Sequence, residues 1–365
     1  MSEKAVIAMS GGVDSSVAAW LMKEQGFRCV GITLKLFVNE DLGKPKHNSC
    51  CSLEDVNDAR AVAYRMGMPH YVLNFTEDFR NRVINRFVES YERGDTPNPC
   101  IDCNRFIKFS RLLERARQLD FDTIVTGHYA RIDWEGSTGR FLLKRSVDTK
   151  KDQSYVLFAM TQDQLAHTRF PLGGLTKSQV REIAEAQGFV NAKKHDSQDI
   201  CFAPDRDYGG FIERYTGKPS PAGNIVDEEG RVLGRHRGII RYTIGQRRGL
   251  GIAMNEPVYV KAKSTADNTV TLGPEESLYA KSLTANELNL ISYPRLEKPL
   301  RVTVKTRYFQ ASDQAAEPWA TVEQTGDDTL RVDFDKPQRA ITSGQAVVLY
   351  DGDLVVGGGT ILGAD

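Results

Sequence analysis

Apolar and polar positions follow two rhythms along the chain. Residues 4–9 (KAVIAM) make an apolar run of strand length. SGGVDSS then turns the chain, and Val13, Val17, Leu21 and Met22 share one helical face until Gly26. Residues 28–36 (RCVGITLKL) predict a second strand. Residues 52–66 predict a helix, with Ser52 at the N-cap and Asp55 placed for a loose capping box. A third strand at 70–75 (HYVLNF), a helix over 77–92 and a fourth strand at 122–126 (DTIVT) follow. Between them NPCIDCNR, 98–105, reads as a loop. A helix starting at Asn104 carries Phe106, Phe109, Leu113 and Ala116 near one face. Strands alternating with helices predict a parallel sheet covered on both faces.

After about residue 205 the helical rhythm fades. Glycines multiply, and the short alternating runs RVTVKTRYF (301–309), LRVDF (330–334) and QAVVLY (345–350) predict antiparallel strands of a small barrel or sandwich. The stretch 208–275 reads as a small module of its own. At 365 residues the chain is long for one domain. The pattern divides it into 1–206, 207–277 and 278–365.

Composition changes this picture in three places. The formal charge is zero, so any nucleic-acid partner must be met by a local patch. RVLGRHRGIIRYTIGQRRGLG, 231–251, is such a patch, with six arginines, one histidine and no acid, and it suits phosphate contact. Six cysteines are too few for a disulfide scaffold. The apolar run in MSEKAVIAMSGG is too short for a signal segment or a membrane span, so a cytoplasmic protein without a membrane partner is expected.

Candidate chemistry sits at two sets of residues. In SGGVDS, Ser10 to Ser15, Gly11 and Gly12 permit a tight turn whose N–H groups face inward at a helix start, a nest for phosphate oxygens. The lysine and spacing of a Walker loop are absent. Cys100 and Cys103 stand in C-x-x-C spacing, which fits a redox pair, half of a metal site, or a reactive thiol with a neighbour. Cys103, just before the helix expected at Asn104, would feel the field of its N-terminus, and Asp102 would oppose that effect. Cys201 lies among polar residues in HDSQDICFAP. Cys29 falls on a predicted strand and reads as core, and Cys50 and Cys51 lack metal spacing and read as structural or incidental.

SGGVDS directly after a first strand resembles the PP-loop ATP pyrophosphatases. These cut ATP between its α and β phosphates and leave AMP on a substrate carbonyl oxygen. AMSGGVDSSVAAWLMKEQG, TPNPCIDCNRFIKF, TGHYAR, KDQSYVLF, SQDICF and YTIGQRRGLG, in that order, resemble the tRNA 2-thiouridylases of that superfamily. The resemblance covers Ile7 to Gly251 and more loosely the rest. It implies an α/β fold: a parallel-sheet PP-loop nucleotide-binding domain, a small central module and a C-terminal β-barrel. It implies a sulfurtransferase that replaces the 2-oxygen of the wobble uridine of tRNA with sulfur, using ATP, magnesium, and a persulfide or sulfide donor protein. By the same resemblance Cys103 matches the nucleophile and Cys201 the persulfide carrier, ending as a disulfide. Ala8, Met9, Ser10, Gly11, Gly12, Val13, Asp14, Ser15, Leu34 and Gly127 match ATP contacts. Asn98, Pro99 and Cys100 match the segment beside the target base. His128, Lys151, Asp152, Gln153, Arg307, Tyr308 and Gln345 match tRNA contacts. Many members carry aspartate where this chain has Cys100, which leaves a second arrangement open: an iron–sulfur cluster on Cys100, Cys103 and Cys201, as in related tRNA thiolases.

Overall fold

The computed structural model describes residues 3–38, 53–195, 200–308 and 317–365. The expected Ser52 cap and both Cys50 and Cys51 lie outside the described residues. Strands β1 (Lys4–Ala8), β2 (Arg28–Lys35), β3 (His70–Asn74), β4 (Thr123–Val125) and β7 (Thr168–Arg169) form one parallel sheet in the order β3-β2-β1-β4-β7. Helices α1 (Val13–Glu24) and α2 (Leu53–Arg65) follow β1 and β2. The apolar runs are strands because both faces are covered: Ala5, Val6 and Ile7 are fully buried, with Val6 and Ile7 in different apolar clusters. The strand order reverses between β1 and β4. Ligands of such sheets bind in that crevice, beyond the carboxyl ends of the strands.

Two long helices pack on the sheet, and both contain π-wound stretches. The first runs through Thr76–Phe79, Arg80–Ile84 and Asn85–Glu92, its middle part π-wound. The second runs through Pro99–Asp102, the π-wound Cys103–Arg111, and Leu112–Gln118. This corrects the expected cysteine loop. NPCIDCNR is the beginning of the helix, because Asn98 Oδ1 accepts the Cys100 N–H at 3.1 Å and Pro99 occupies the first turn. A π-wound stretch inside a helix often marks a functional site.

The central module is a four-stranded sheet, β10-β11-β8-β9, built from β8 (Gly223–Val226), β9 (Val232–His236), β10 (Tyr259–Ser264) and β11 (Thr269–Gly273). The helix Tyr208–Thr216 precedes it, a helical element where fading periodicity predicts none. Ile225, Val260, Val270 and Leu272 of the module share one apolar cluster with Phe79, Phe87 and Phe202, so the module packs directly on the first domain.

The last strands are β12 (Tyr279–Leu290), β13 (Leu300–Lys305), β14 (Trp319–Gln324), β15 (Leu330–Arg339), β16 (Ala346–Asp351) and β17 (Leu354–Ala364). They run in the order β12-β15-β14-β13-β16-β17, and a β12–β17 pairing closes them into a barrel. The expected α/β architecture with a PP-loop-type sheet, central module and C-terminal barrel is therefore present. The sequence reading lacks the hairpin β5 (Ala130–Glu135) and β6 (Arg140–Arg145). It leaves the parallel sheet and extends the barrel, with Leu354 of β17 opposite Lys144 of β6. No helix among the described residues is long and apolar enough to cross a membrane.

Candidate active site

The glycine loop joins the end of β1 to α1 at the crevice. Gly11 has φ of +79°, and a Cβ there would lie 2.3 Å from the Asp55 carbonyl oxygen, so only glycine fits. Ser15 Oγ and Ser16 Oγ donate to the Gly12 carbonyl at 3.0 and 3.1 Å, and Ser10 N donates to Ser15 Oγ at 3.2 Å. Gly12 is the N-cap of α1 and no side chain caps that helix, so its first N–H groups face the crevice as an anion cradle. Gly127, just past β4, closes the other side: a Cβ there would lie 2.7 Å from the Asp14 carbonyl carbon. Leu34, next to last in β2, is half-buried at the neighbouring strand end. Ala8, Met9, Val13 and Asp14 complete the loop; Met9 and Val13 are buried, and the Met9 backbone is tied to β2, its N–H donating to the Ile32 carbonyl at 2.8 Å and its carbonyl accepting from Thr33 Oγ1 at 2.7 Å.

The cation missing from the loop arrives from far along the chain. Lys177 Nζ donates to both oxygens of Asp14 at 2.7 and 2.8 Å, across 163 residues, and Tyr129 Oη donates to Asp14 at 2.8 Å. Lys194 bridges Asp55 and Asp58 at 2.7 and 2.6 Å. Buried Asn191 donates to the Gly11 carbonyl and to Ser16 Oγ, both at 2.9 Å. No local motif announces Lys177, Asn191 or Lys194.

The cysteines differ in setting. Cys103 is buried in the apolar cluster of the first domain, Cys201 is half-buried and packed against the same cluster, and Cys100 is exposed. Cys103 lies beyond the first turn of its helix, where the field of the helix end has fallen off, so the expected activation by that field does not apply to it. Asp102 is nearly buried, and burial pushes its carboxyl up to about 6 despite the opposing Arg86 charge. Next to Cys103, Asn104 Nδ2 donates to the Val156 carbonyl at 2.9 Å, while its buried Oδ1 has no hydrogen-bond partner among the described residues. Cys29 is core as expected, and burial raises its thiol to about 11. Among the described residues no three His, Cys, Asp or Glu side chains are grouped to hold a metal ion.

Models of three successive domains match the chain: a tRNA methyl transferase HUP domain over 3–205, a tRNA methyl transferase PRC-barrel domain over 209–274, and an aminomethyltransferase beta-barrel domain over 280–361. The tRNA-specific 2-thiouridylase MnmA of Clostridioides difficile is 49% identical over 362 residues, 99% of this chain and 98% of that one. The chain belongs to the tRNA-specific 2-thiouridylase family. It is an enzyme of the sulfurtransferase class. The 2-thiouridylase of Clostridium acetobutylicum is 50% identical, over 99% of this chain and all of its own length (100%). Among solved structures, a 4-thiouridine synthetase–RNA complex with bound ATP aligns with a TM-score of 0.37 and 20% identity, covering 59% of this chain and 50% of that one.

In this 2-thiouridylase-family chain the residues expected at RNA fall into two groups. Arg307 and Tyr308 are exposed and Lys151 is half-buried. Tyr308 packs on Tyr155 with ring centres 5.8 Å apart; burial, then the charges of Asp152 and Cys100, raise its hydroxyl. The other side chains turn inward. His128 is buried between Phe109 and Phe170, with Nδ1 2.6 Å from Thr126 Oγ1, and burial holds it well below the usual imidazole range. Asp152 accepts from Ser146 N at 3.0 Å and Ser154 Oγ at 2.8 Å, and Gln153 Oε1 accepts from Tyr129 N at 2.9 Å. Gln345 donates to the Thr96 carbonyl, two residues ahead of Asn98.

The basic segment also divides. Arg231 pairs with Asp227 and Glu229, and Arg241 with Asp207 and Glu213. Arg235, Arg237, Arg247 and Arg248 are exposed and make no ion pair among the described residues. Arg206, Arg237 and Arg241 line a cavity of about 210 Å³ between the first domain and the central module.

Proposed function

We propose that the chain thiolates C2 of the wobble uridine of tRNA, consuming ATP and giving 2-thiouridine, AMP and diphosphate. The observation that carries this reading is the pairing of a phosphate cradle at residues 8–15 with two distant cysteines, Cys103 and Cys201, on one apolar cluster. A cradle alone suits any adenylating enzyme; two thiols set on the one apolar cluster add sulfur chemistry.

Oxygen on C2 is a poor leaving group. Its attack on the α phosphate of ATP releases diphosphate and leaves C2–O–AMP, which departs as AMP. The N–H groups of the α1 start hold the phosphates against that displacement. Magnesium would accompany the nucleotide and neutralise the diphosphate. Asp14 and Asp55, each paired with a lysine, are the nearby carboxylates that would face such an ion, and it would supply charge neutralisation of the leaving diphosphate. The outer sulfur of a Cys201 persulfide attacks C2 as AMP leaves. The Cys103 thiolate then attacks the inner sulfur. The S–S bond of the persulfide breaks, its electron pair forms the C2 thiocarbonyl, and a Cys103–Cys201 disulfide remains for an external thiol to reduce.

The tRNA would lie across all three parts. The unpaired arginines of 231–251, Arg237 at the cavity among them, suit backbone phosphates. Lys151, Arg307 and Tyr308 suit the anticodon loop, where an aromatic ring can stack on an unpaired base. Asn98, Pro99 and Cys100 would border the extruded uridine. His128, Asp152, Gln153 and Gln345 would serve by shaping that surface, since their side chains are committed to the protein. The sulfur donor is a persulfide-carrying protein, and a cytoplasmic setting suits both partners.

The test is an assay with unmodified tRNA, ATP, magnesium and a persulfide donor, read by mass spectrometry of digested tRNA. The expected result is equal amounts of 2-thiouridine and AMP, lost in Cys103→Ser and Cys201→Ser and kept in Cys100→Ser. Thiolation that survives both of the first two substitutions contradicts the reading.

A further inference from the structure

The barrel grips the cysteine helix on both sides of Cys100 and Cys103. Upstream, Thr96 N donates to the Ser343 carbonyl at 2.9 Å, Ser343 Oγ donates to Asp95 at 2.6 Å, and Gln345 holds the Thr96 carbonyl. Gly344 has φ of +84°, and a Cβ there would lie 2.8 Å from the Asp95 side chain. Downstream, one barrel carboxylate gathers two helices. Glu287 accepts from Arg86 at 3.0 Å, Arg105 at 3.3 Å and Thr360 Oγ1 at 3.1 Å. Arg86 Nε lies 3.5 Å from Asp102 Oδ1, so Asp102 and Glu287 share one guanidinium.

Glu287 is built for this at a cost. Its φ is +50°, in the left-handed region that side chains seldom adopt, and the β12–β17 register shifts between Asn286 and Asn289. Strain of this kind persists where surrounding contacts over-determine it, and it clusters at functional sites. The helix turn it holds begins one residue before Cys103.

We propose that Glu287 is a positioning residue that locks the Cys103 turn to the barrel, so that the sulfur attack occurs only with the helix clamped at both ends. The kinetic part rests on the thiolation reading above; the clamp itself does not. A misplacement of about 1 Å at a reacting group costs on the order of a hundredfold in rate.

The test uses the full chain with Glu287→Gln, which removes the charge and keeps the size, and Thr360→Val, which removes one donor. Amide hydrogen exchange over 98–108 is compared with that over 13–24, alongside kcat, the tRNA KM and ATP binding. Glu287→Gln is expected to speed exchange over 98–108 about tenfold or more and leave 13–24 unchanged. Its kcat is expected to fall about thirtyfold, with the tRNA KM and ATP binding within about threefold of wild type. Thr360→Val gives a smaller change in the same direction. Unchanged exchange over 98–108 in Glu287→Gln overturns the proposal, as does an equal rise over 13–24. If Glu287→Gln does not fold, Thr360→Val decides in the same way. Faster local exchange in a chain whose wild type makes no 2-thiouridine upholds the clamp and removes the thiolation reading instead.

Discussion

Asp102 stands beside Cys103 in a setting that favours its neutral form. Burial dominates, Glu287 adds to it, and Arg86 and Arg105 oppose it, leaving the carboxyl at about 6 against an ordinary 3.8. A folded-state pKa raised above the unfolded one gives stability that is complete below the unfolded value and lost as pH rises through about 6. Asp102→Asn, which mimics the neutral form, is therefore expected to be more stable than wild type at pH 8, by on the order of 3 kcal/mol. The gain should shrink as pH falls to 5. Thermal midpoints at the two pH values check this, and an equal gain at both contradicts the assignment. At this scale the sequence is legible where chemistry is local. Ser10 to Ser15 announce themselves because turn, donors and helix start are contiguous. Lys177 on Asp14, Asn191 on Gly11 and Gln345 on Thr96 do not, because the partners lie 163, 180 and 249 residues apart.

The cysteine helix shows what element-level reading catches and misses. Alternation and apolar runs locate β1 to β4 to within about two residues, since buried strands need such runs. The helix start is misplaced because the cysteine spacing draws a loop, while the true signal is Asn98 followed by Pro99. If Asn98 is the cap, Asn98→Ala costs about 1 kcal/mol and Asn98→Asp restores most of it. Denaturant midpoints would show the difference, and equal loss in both variants would deny Asn98 the capping role. The π-wound segments at 80–84 and 103–111 leave no periodicity signal, since a single wide turn shifts the apolar phase without abolishing it.

Across the whole molecule the parts are interlocked more than their sequence blocks suggest. The β5–β6 hairpin extends the barrel from within the first domain, the central module shares the core of that domain, and barrel residues flank the cysteine turn. These pairings are long-range, and no local pattern encodes them. Their consequence is that tRNA gripped by the barrel and the central module, as proposed above, would bear on the turn that carries Cys103. The most direct test of the central claim is a single turnover with Cys201 preloaded as persulfide, with tRNA, ATP and magnesium and no further donor. The account predicts at most one 2-thiouridine per loaded chain. Peptide mass mapping should then find Cys103 joined to Cys201, with Cys100 unmodified. Formation of 2-thiouridine without that disulfide, or a disulfide that uses Cys100 in place of Cys103, would contradict it.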